Sequence, residues 1–469
     1  MGRIKAAYLM PHPPIILKEI GKGEEIKIQR TIDAMLAVAK DIKEKKPSII
    51  ILITPHGPLF CDAVTISAAP ELRGDFDGFG AKQVKFIKNN HMELVDKIMR
   101  YAGMKNIMCA LMDKAMAKQY KVSSELDHGT MVPLYFIDKE YVHYKLVHIT
   151  YGLLPEEELY QFGKSIQEAL DELEEDAVVI ASGDLSHRLK EDAPAGYHPN
   201  AKLFDQELLQ LMEEGKIEEL LAMDPCLAEQ AGECGLRSIY TMLGAIDGYD
   251  MSPNILSYEG PFGVGYGVAQ INIGSRNRDK QMVEKIVENR QQRIKDRREN
   301  EDQYVKLART ALEYHIRENS ELPLDKNVNR DLLENRAGVF VSIKKHGQLR
   351  GCIGTIHPST TSIAEEIMRN AIQAGTADPR FYPVVEEELD ELTISVDVLN
   401  EPENIAGFDE LDVQRYGVIV TSGRKSGLLL PNLDNVHTVE EQVKIALQKA
   451  GIRPDEGYNL QRFEVIRHK

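Results

Sequence analysis

In the first half of the chain, short apolar runs alternate with longer stretches whose apolar residues recur every three or four positions. Ala6–Met10, Ser48–Ile53, Lys145–Tyr151 and Val178–Ala181 are dense in branched or apolar residues and read as buried strands. Lys27–Lys40, with Ile28, Ile32, Met35, Leu36 and Ala39 in helical register, and Glu156–Glu174 read as amphipathic helices between them. This alternation predicts an α/β domain with a largely parallel central sheet. Cys61–Ala68 adds a strand, and His91–Tyr101 a helix with His91 at its start as a capping or surface group. Phe204–Glu214, Ile217–Met223 and Ile239–Ala245 read as helices, with Asn254–Tyr258 and Val268–Ile273 as closing strands. Glu71–Gly80, rich in glycine and aspartate, predicts a loop that closes over a pocket.

The pattern then changes. Ser275–Gln303 is dense in charge of both signs and poor in apolar residues, which predicts a solvated helical connector. From Tyr304 a new helix begins, followed by hairpins at Arg336–Gly354 (turn at His346-Gly347) and Tyr416–Pro431. A helix at Ile363–Ala374, a turn at Ala377–Phe381, a strand at Leu392–Leu399 and a helix at Val439–Ala450 complete a smaller α+β domain. The expected division is residues 1–275, a linker at 276–303, and a second domain at 304–469. A chain of 469 residues is too long for one core, which suits this division.

Composition narrows the partners. A formal charge of −17 disfavours nucleic acid and anionic membranes, and no apolar run approaches a membrane span. Five scattered cysteines without a CxxC pair, behind an N-terminus lacking a signal-peptide core, point to a cytoplasmic protein with reduced thiols.

Three predicted strands end in a histidine: Pro11-His12-Pro13-Pro14, Thr54-Pro55-His56-Gly57 and Ser182-Gly183-Asp184-Leu185-Ser186-His187. Open α/β sheets gather their chemistry beyond the carboxyl ends of their strands, so His12, His56 and His187 are expected to converge on one metal-dependent site. Satisfied strand-end histidines are the bland alternative, which three such residues disfavour. Asp127-His128-Gly129-Thr130 reads equally well as a helix start capped by Asp127 with an incidental histidine. Small residues surround Glu233 and Cys234, so backbone or ligand approaches closely there. Two imidazoles with one carboxylate, His12, His56 and Glu233, match the donor inventory of non-haem Fe(II) oxygenases, leaving His187 and His128 for proton work. Glu259–Gly267 is glycine-rich but has neither the lysine nor the helix of a phosphate loop.

Together P-H-P-P, T-P-H-G, L-D-H-G-T-x-V-P-L and G-D-L-S-H resemble the class III extradiol dioxygenases, the LigB-like family that includes the Memo proteins, over about residues 4–273. The resemblance implies His12 and His56 as metal ligands, His187 as acid/base and His128 as a hydrogen-bond donor to substrate or oxygen. Glu233 would be the carboxylate ligand of the dioxygenase branch; Memo proteins carry a cysteine in this region, and Cys234 adjoins Glu233. The first branch implies Fe(II), a small aromatic substrate such as a catechol or 2-aminophenol, and O2. The second implies copper, zinc or another softer-site metal without ring cleavage. A homodimer is the family-level expectation.

In the second domain L-R-G-C-I-G, D-P-R-F and G-L-L-L-P resemble the AMME-chromosomal-region domain. Arg350 and Cys352 are its most reactive-looking residues; Cys352 reads either as a nucleophile without an assignable base or as a small buried thiol. The fusion resembles the AmmeMemoRadiSam system, whose name implies a radical SAM protein as partner, and this chain itself lacks a CxxxCxxC cluster motif.

Overall fold

The computed structural model describes residues 2–325, 328–345, 348–433, 436–453 and 455–469. The chain divides into two compact units, Met1–Arg290 and Gln291–Lys469.

The first unit is built on an eight-stranded sheet. In chain order its strands are β1 (Ile4–Met10), β2 (Ile49–Thr54), β3 (Val64–Ser67), β6 (Cys109–Met112), β7 (Lys145–Thr150), β8 (Ala177–Ser182), β9 (Tyr249–Glu259) and β10 (Tyr266–Arg276). A separate hairpin supplies β4 (Glu71–Phe76) and β5 (Ala81–Asn89). The sheet order is β6-β3-β7-β2-β8-β1-β10-β9, and β7, β2, β8 and β1 run parallel, with β10 and β9 antiparallel at one edge.

Both sheet faces are covered, which is why β2 and β8 read as unbroken apolar runs rather than alternating ones. On one face, Ile49, Ile51, Ile53 and Val179 pack with helices α2 (Met92–Met104), α4 (Glu156–Asp171) and α6 (Leu236–Ala245). On the other, Ile50, Leu52, Val178 and Ile180 meet α1 (Gln29–Lys45) and α3 (His128–Ile137). Each such side chain contributes about 1.5–3 kcal/mol on burial, which fixes the register of the strand ends that carry the site. Helix α5 (Ala201–Glu214) packs beside the α2/α4/α6 layer. His91 caps α2 by accepting the Leu94 N–H.

One expectation is corrected. Glu71–Gly80 is not a loop but β4 and the turn into β5, because Leu72, Gly74 and Phe76 alternate inward with polar residues outward. Gly74 and Asp75, which look like turn residues, lie within the strand, while Asp77, Gly78 and Gly80 make the turn itself. Phe79, at the hairpin's tip, meets the ring of His128 at 5.4 Å.

The expected linker is largely helix α7 (Val283–Asn300), and the boundary between the units falls within it. In the second unit, β11 (Val339–Lys345), β12 (Gln348–Gly354), β13 (Leu392–Leu399) and β18 (Val465–His468) form an antiparallel sheet ordered β12-β11-β13-β18. Its inner residues Val341, Ile343, Ile394 and Val396 pack with α8 (Gln303–Glu318) and α9 (Ile363–Thr376). A second antiparallel sheet, β14-β17-β15-β16, combines β14 (Glu403–Ile405), β15 (Gly417–Ser422), β16 (Lys425–Leu429) and β17 (Asn459–Phe463). It packs with α10 (Val439–Ala450). Tyr416 lies outside the hairpin because its carbonyl accepts the Gln442 side-chain amide. The turn expected at His346-Gly347 lies outside the described residues. Among the described residues, no helix is long and apolar enough to cross a membrane.

Candidate metal centre

Strands β2, β8 and β1 are neighbours and parallel, so their carboxyl ends lie side by side. His12 and His56 each stand two residues past the end of their strand. Across from them α3 begins at His128, with Asp127 as its cap accepting the Thr130 N–H at 3.1 Å. The helix start can approach this closely only because Gly129 has no side chain; a Cβ there would collide with Thr54 Oγ1.

The result is a cluster of three imidazoles whose ligand nitrogens all lie within 4.8 Å of one another. His12 Nε2 faces His56 Nε2 at 2.9 Å, and the His56 and His128 rings stack with centroids 4.2 Å apart. His12 is buried, His128 partly buried and His56 exposed, so the cluster opens to solvent on the His56 side.

Protonation suits a metal. Ser182 Oγ donates to the Gly129 carbonyl and therefore accepts from His12 Nδ1–H at 2.9 Å. That leaves His12 Nε2 as an unprotonated lone pair aimed at His56, the orienting arrangement metal-bound histidines need. Burial first, then the neighbouring imidazoles, hold His12 well below its ordinary pKa. Desolvation and His128 bring His56 down to about 4, and burial lowers His128 as well. All three are neutral near pH 7 and can donate to a cation.

The structure separates the two residues that sequence left as rivals. The Glu233 carboxylate accepts the Leu236 N–H at 2.6 Å, at the start of α6, and does not join the imidazole cluster. Cys234 is not part of that cluster either, but its sulfur lies 3.6 Å from His12 Nε2. Spans of 2.9 and 3.6 Å are those that nitrogen and sulfur donors, each about 2.0–2.3 Å from one shared ion, present to one another.

His187 stands beside the three-imidazole cluster rather than within it, close enough to act electrostatically on both His12 and His56. Its Nδ1–H donates to the Gly232 carbonyl at 2.6 Å, which leaves Nε2 as the proton acceptor. Burial lowers its pKa.

Several supporting residues were not singled out by the sequence reading. Asp184 accepts the His12 backbone N–H at 2.8 Å, and burial raises its pKa to about 7 against that bond's pull. Behind His128, Asp127 also accepts from Thr54 Oγ1 at 2.6 Å and pairs with His148 Nε2 at 3.0 Å. His148 Nδ1 meets Ser67 Oγ at 2.7 Å, so a buried polar chain fixes the cap that places His128. The sequence signal was slight: His148 amid the apolar centre of β7 and Ser67 at the end of β3.

The two candidates of the second unit do not act on one another. Arg350 pairs with Glu388 at 2.8 Å and donates to the Tyr382 and Pro383 carbonyls. Cys352 Sγ instead accepts from Ser342 Oγ at 3.3 Å.

Strand-end imidazoles on a sandwiched, largely parallel sheet give an α/β domain with a group that could hold a metal ion. The family comparison is specific: residues 6–269 match the model for the catalytic LigB subunit of aromatic ring-opening dioxygenase, and the chain belongs to that metal-dependent family. Residues 305–468 match the AMMECR1 family, so the chain is a LigB domain fused to an AMMECR1 domain. A Clostridium acetobutylicum protein is 48% identical over 98% of both chains. A Thermotoga maritima protein is 46% identical over 36% of this chain and 98% of its own. Among solved structures, an uncharacterized Pyrococcus horikoshii protein is 34% identical and matches 35% of this chain and 88% of its own, with a TM-score of 0.33.

Proposed function

We propose that the N-terminal domain is an extradiol-type oxidoreductase acting on a small aromatic substrate with two adjacent heteroatoms, such as a catechol or 2-aminophenol. The observation that carries this reading is the convergence of three neutral imidazole nitrogens at the carboxyl ends of parallel strands. His12 and His56, with the Glu233 carboxylate or alternatively the Cys234 thiolate, would hold one metal ion, Fe(II) in this reading. When bound, that ion supplies the one-electron and Lewis-acid chemistry by which dioxygen attacks an aromatic ring.

The chain's own groups do the rest. His187 Nε2 takes the proton of a substrate hydroxyl, and the Gly232 carbonyl on Nδ1–H holds the resulting imidazolium in place. His128 donates a hydrogen bond to substrate, and Phe79, whose ring centroid lies 5.4 Å from that of His128, offers a neighbouring aromatic surface. Five unpaired cysteines support a cytosolic setting.

A specific observation favours a second reading. The thiol of Cys234 stands where a carboxylate ligand is needed, and Glu233 is engaged elsewhere. A sulfur donor suits copper or zinc, and the domain would then be a Memo-type metal protein without ring cleavage, working with a radical SAM partner.

Anaerobic purification, metal analysis, Fe(II) reconstitution and oxygen uptake with a panel of catechols and 2-aminophenols decide between them. Stoichiometric iron with uptake abolished by His187→Ala supports ring opening. Tight metal binding with no uptake across the panel favours the second reading, and failure to bind any metal sinks both.

A further inference from the structure

The glycine-rich run Glu259–Gly267 has no part in the imidazole cluster, yet it is bound to the segment that carries His187. It joins the end of β9 to the start of β10. The Leu185 N–H donates to the Gly265 carbonyl at 2.8 Å, and the Gly265 N–H to the Ser186 carbonyl at 2.8 Å. The Leu189 N–H donates to the Gly263 carbonyl at 3.0 Å. His187 is therefore stitched to this run on both sides. Close approach is what demands glycine here: a Cβ at Gly263 would strike Ala193, and one at Gly265 would lie 2.2 Å from Asp205 Oδ2.

Asp205, on α5, is the group for which Gly265 makes room. It is fully buried, and among the described residues no lysine or arginine pairs with it. Its Oδ1 accepts the Ser186 N–H at 2.7 Å, and its Oδ2 accepts the Tyr258 hydroxyl at 2.6 Å. A buried carboxylate without a counter-ion is costly, and burial raises this one's pKa to about 6 against the pull of both hydrogen bonds. Its neighbours on α5, Phe204, Leu208 and Met212, are apolar core residues, so packing alone does not ask for a charge here.

What the carboxylate holds is the residue just before His187. Ser186, also fully buried, donates its hydroxyl to the Ala231 carbonyl at 3.1 Å and accepts the Arg188 N–H at 3.1 Å. The His187 N–H donates to the same Ala231 carbonyl at 3.0 Å, and its Nδ1–H to the next one, Gly232, at 2.6 Å. A displaced Ser186 would disturb both bonds together. The second of them decides which ring nitrogen carries the proton.

We propose that Asp205 is a positioning residue, which acts through Ser186 to hold His187 as the Nδ1–H tautomer with Nε2 free to take a proton. The glycine-rich run backs both the carboxylate and the His187 segment. This inference rests on the reading of His187 as the base and deepens it. Asp205 itself is not in the imidazole cluster and works at one remove.

The test reads the ring directly and needs no substrate. Long-range nitrogen–proton NMR spectra of the full-length chain at neutral pH, with and without added zinc, show which nitrogen of each imidazole is protonated. His187→Ala identifies the His187 signals. The parent should show His187 as Nδ1–H, and Asp205→Asn, which keeps an acceptor for the Ser186 N–H, should retain that pattern. Asp205→Ala should lose it to the Nε2–H form with zinc content unchanged. His91 is the internal reference and should stay Nε2–H, since its Nδ1 accepts the Leu94 N–H. If Asp205→Ala does not fold, Gly265→Ala, which drives a methyl group into the carboxylate, should give the same loss. A His187 ring still Nδ1–H in either folded variant, or lost equally in Asp205→Asn, would overturn the proposal. Absence of oxygen uptake with every catechol would count against His187 as a base and leave the tautomer result standing, so the two failures are told apart.

Discussion

The two units bring reactive residues together by different geometry. In the first, parallel strands deliver His12 and His56 to one end of the sheet, so strand endings alone mark where chemistry collects. In the second, an antiparallel sheet carries Cys352 mid-strand, and what matters is which face each residue takes. Arg350 and Cys352 lie two apart on β12, yet a register shift in the hairpin leaves Arg350 without a cross-strand partner, so it turns to Glu388 while Cys352 meets Ser342. A strand-end site is a matter of position along the chain; a sheet-face site is a matter of face and register.

Breaking the strand-end site should have the largest effect. His56→Ala removes one of two facing imidazoles, and metal affinity should fall by more than about 100-fold, read by metal analysis after dialysis. Comparing Cys234→Ala with Glu233→Gln sharpens the picture. The first should fall nearly as far in affinity. The second should keep its metal and lose only about 1 kcal/mol of stability through a weaker acceptor at the start of α6, read by denaturant unfolding. A Glu233→Gln protein that cannot hold metal would restore the carboxylate as a ligand. Ser182→Ala, which frees the His12 tautomer, should cost about 10–100-fold in metal affinity without unfolding the sheet.

The smallest effect belongs to the sheet-face unit and appears only in acid. Glu366 is fully buried, which by itself raises its pKa, yet hydrogen bonds from Ser359, Thr355 and Thr360 bring it from 4.5 down to about 2. A depressed carboxylate contributes stability that is complete above its unfolded pKa and disappears as pH falls through the folded one. The stability gap between the parent chain and Glu366→Gln should therefore be full above about pH 4.5 and close towards about pH 2. A gap that stays constant across this window in pH-dependent unfolding would contradict that assignment.

Much of the first unit was legible because β2 and β8 are unbroken apolar runs that stop abruptly at polar residues. His128 was ambiguous for a physical reason: Asp127 caps a helix, and the capped helix also carries a site histidine, so both readings describe one structure. The different surroundings of Glu233 and Cys234 were not legible, because they depend on where α6 begins and on which of two adjacent side chains that start engages. Ser182 and Asp184 were hidden for a related reason. Their roles lie in hydrogen bonds to His12, about 170 positions away in sequence, which no local pattern encodes. The β4–β5 hairpin was missed because glycine and aspartate inside a strand resemble a turn until the alternation of Leu72 and Phe76 is weighed.

One close approach constrains how this site can vary. Gly183, just past β8, would collide with Gly235 if it carried even a methyl group, so two backbones meet there without side chains between them. This contact fixes the count of residues on the incoming segment immediately after Glu233 and Cys234. The segment cannot slip by one position to exchange the carboxylate for the sulfur, since sliding would push a side chain into the contact. A change of donor atom here must come as a point replacement at a fixed address, never as a short insertion or deletion, and loop-length variation among relatives is expected to stop short of this seam.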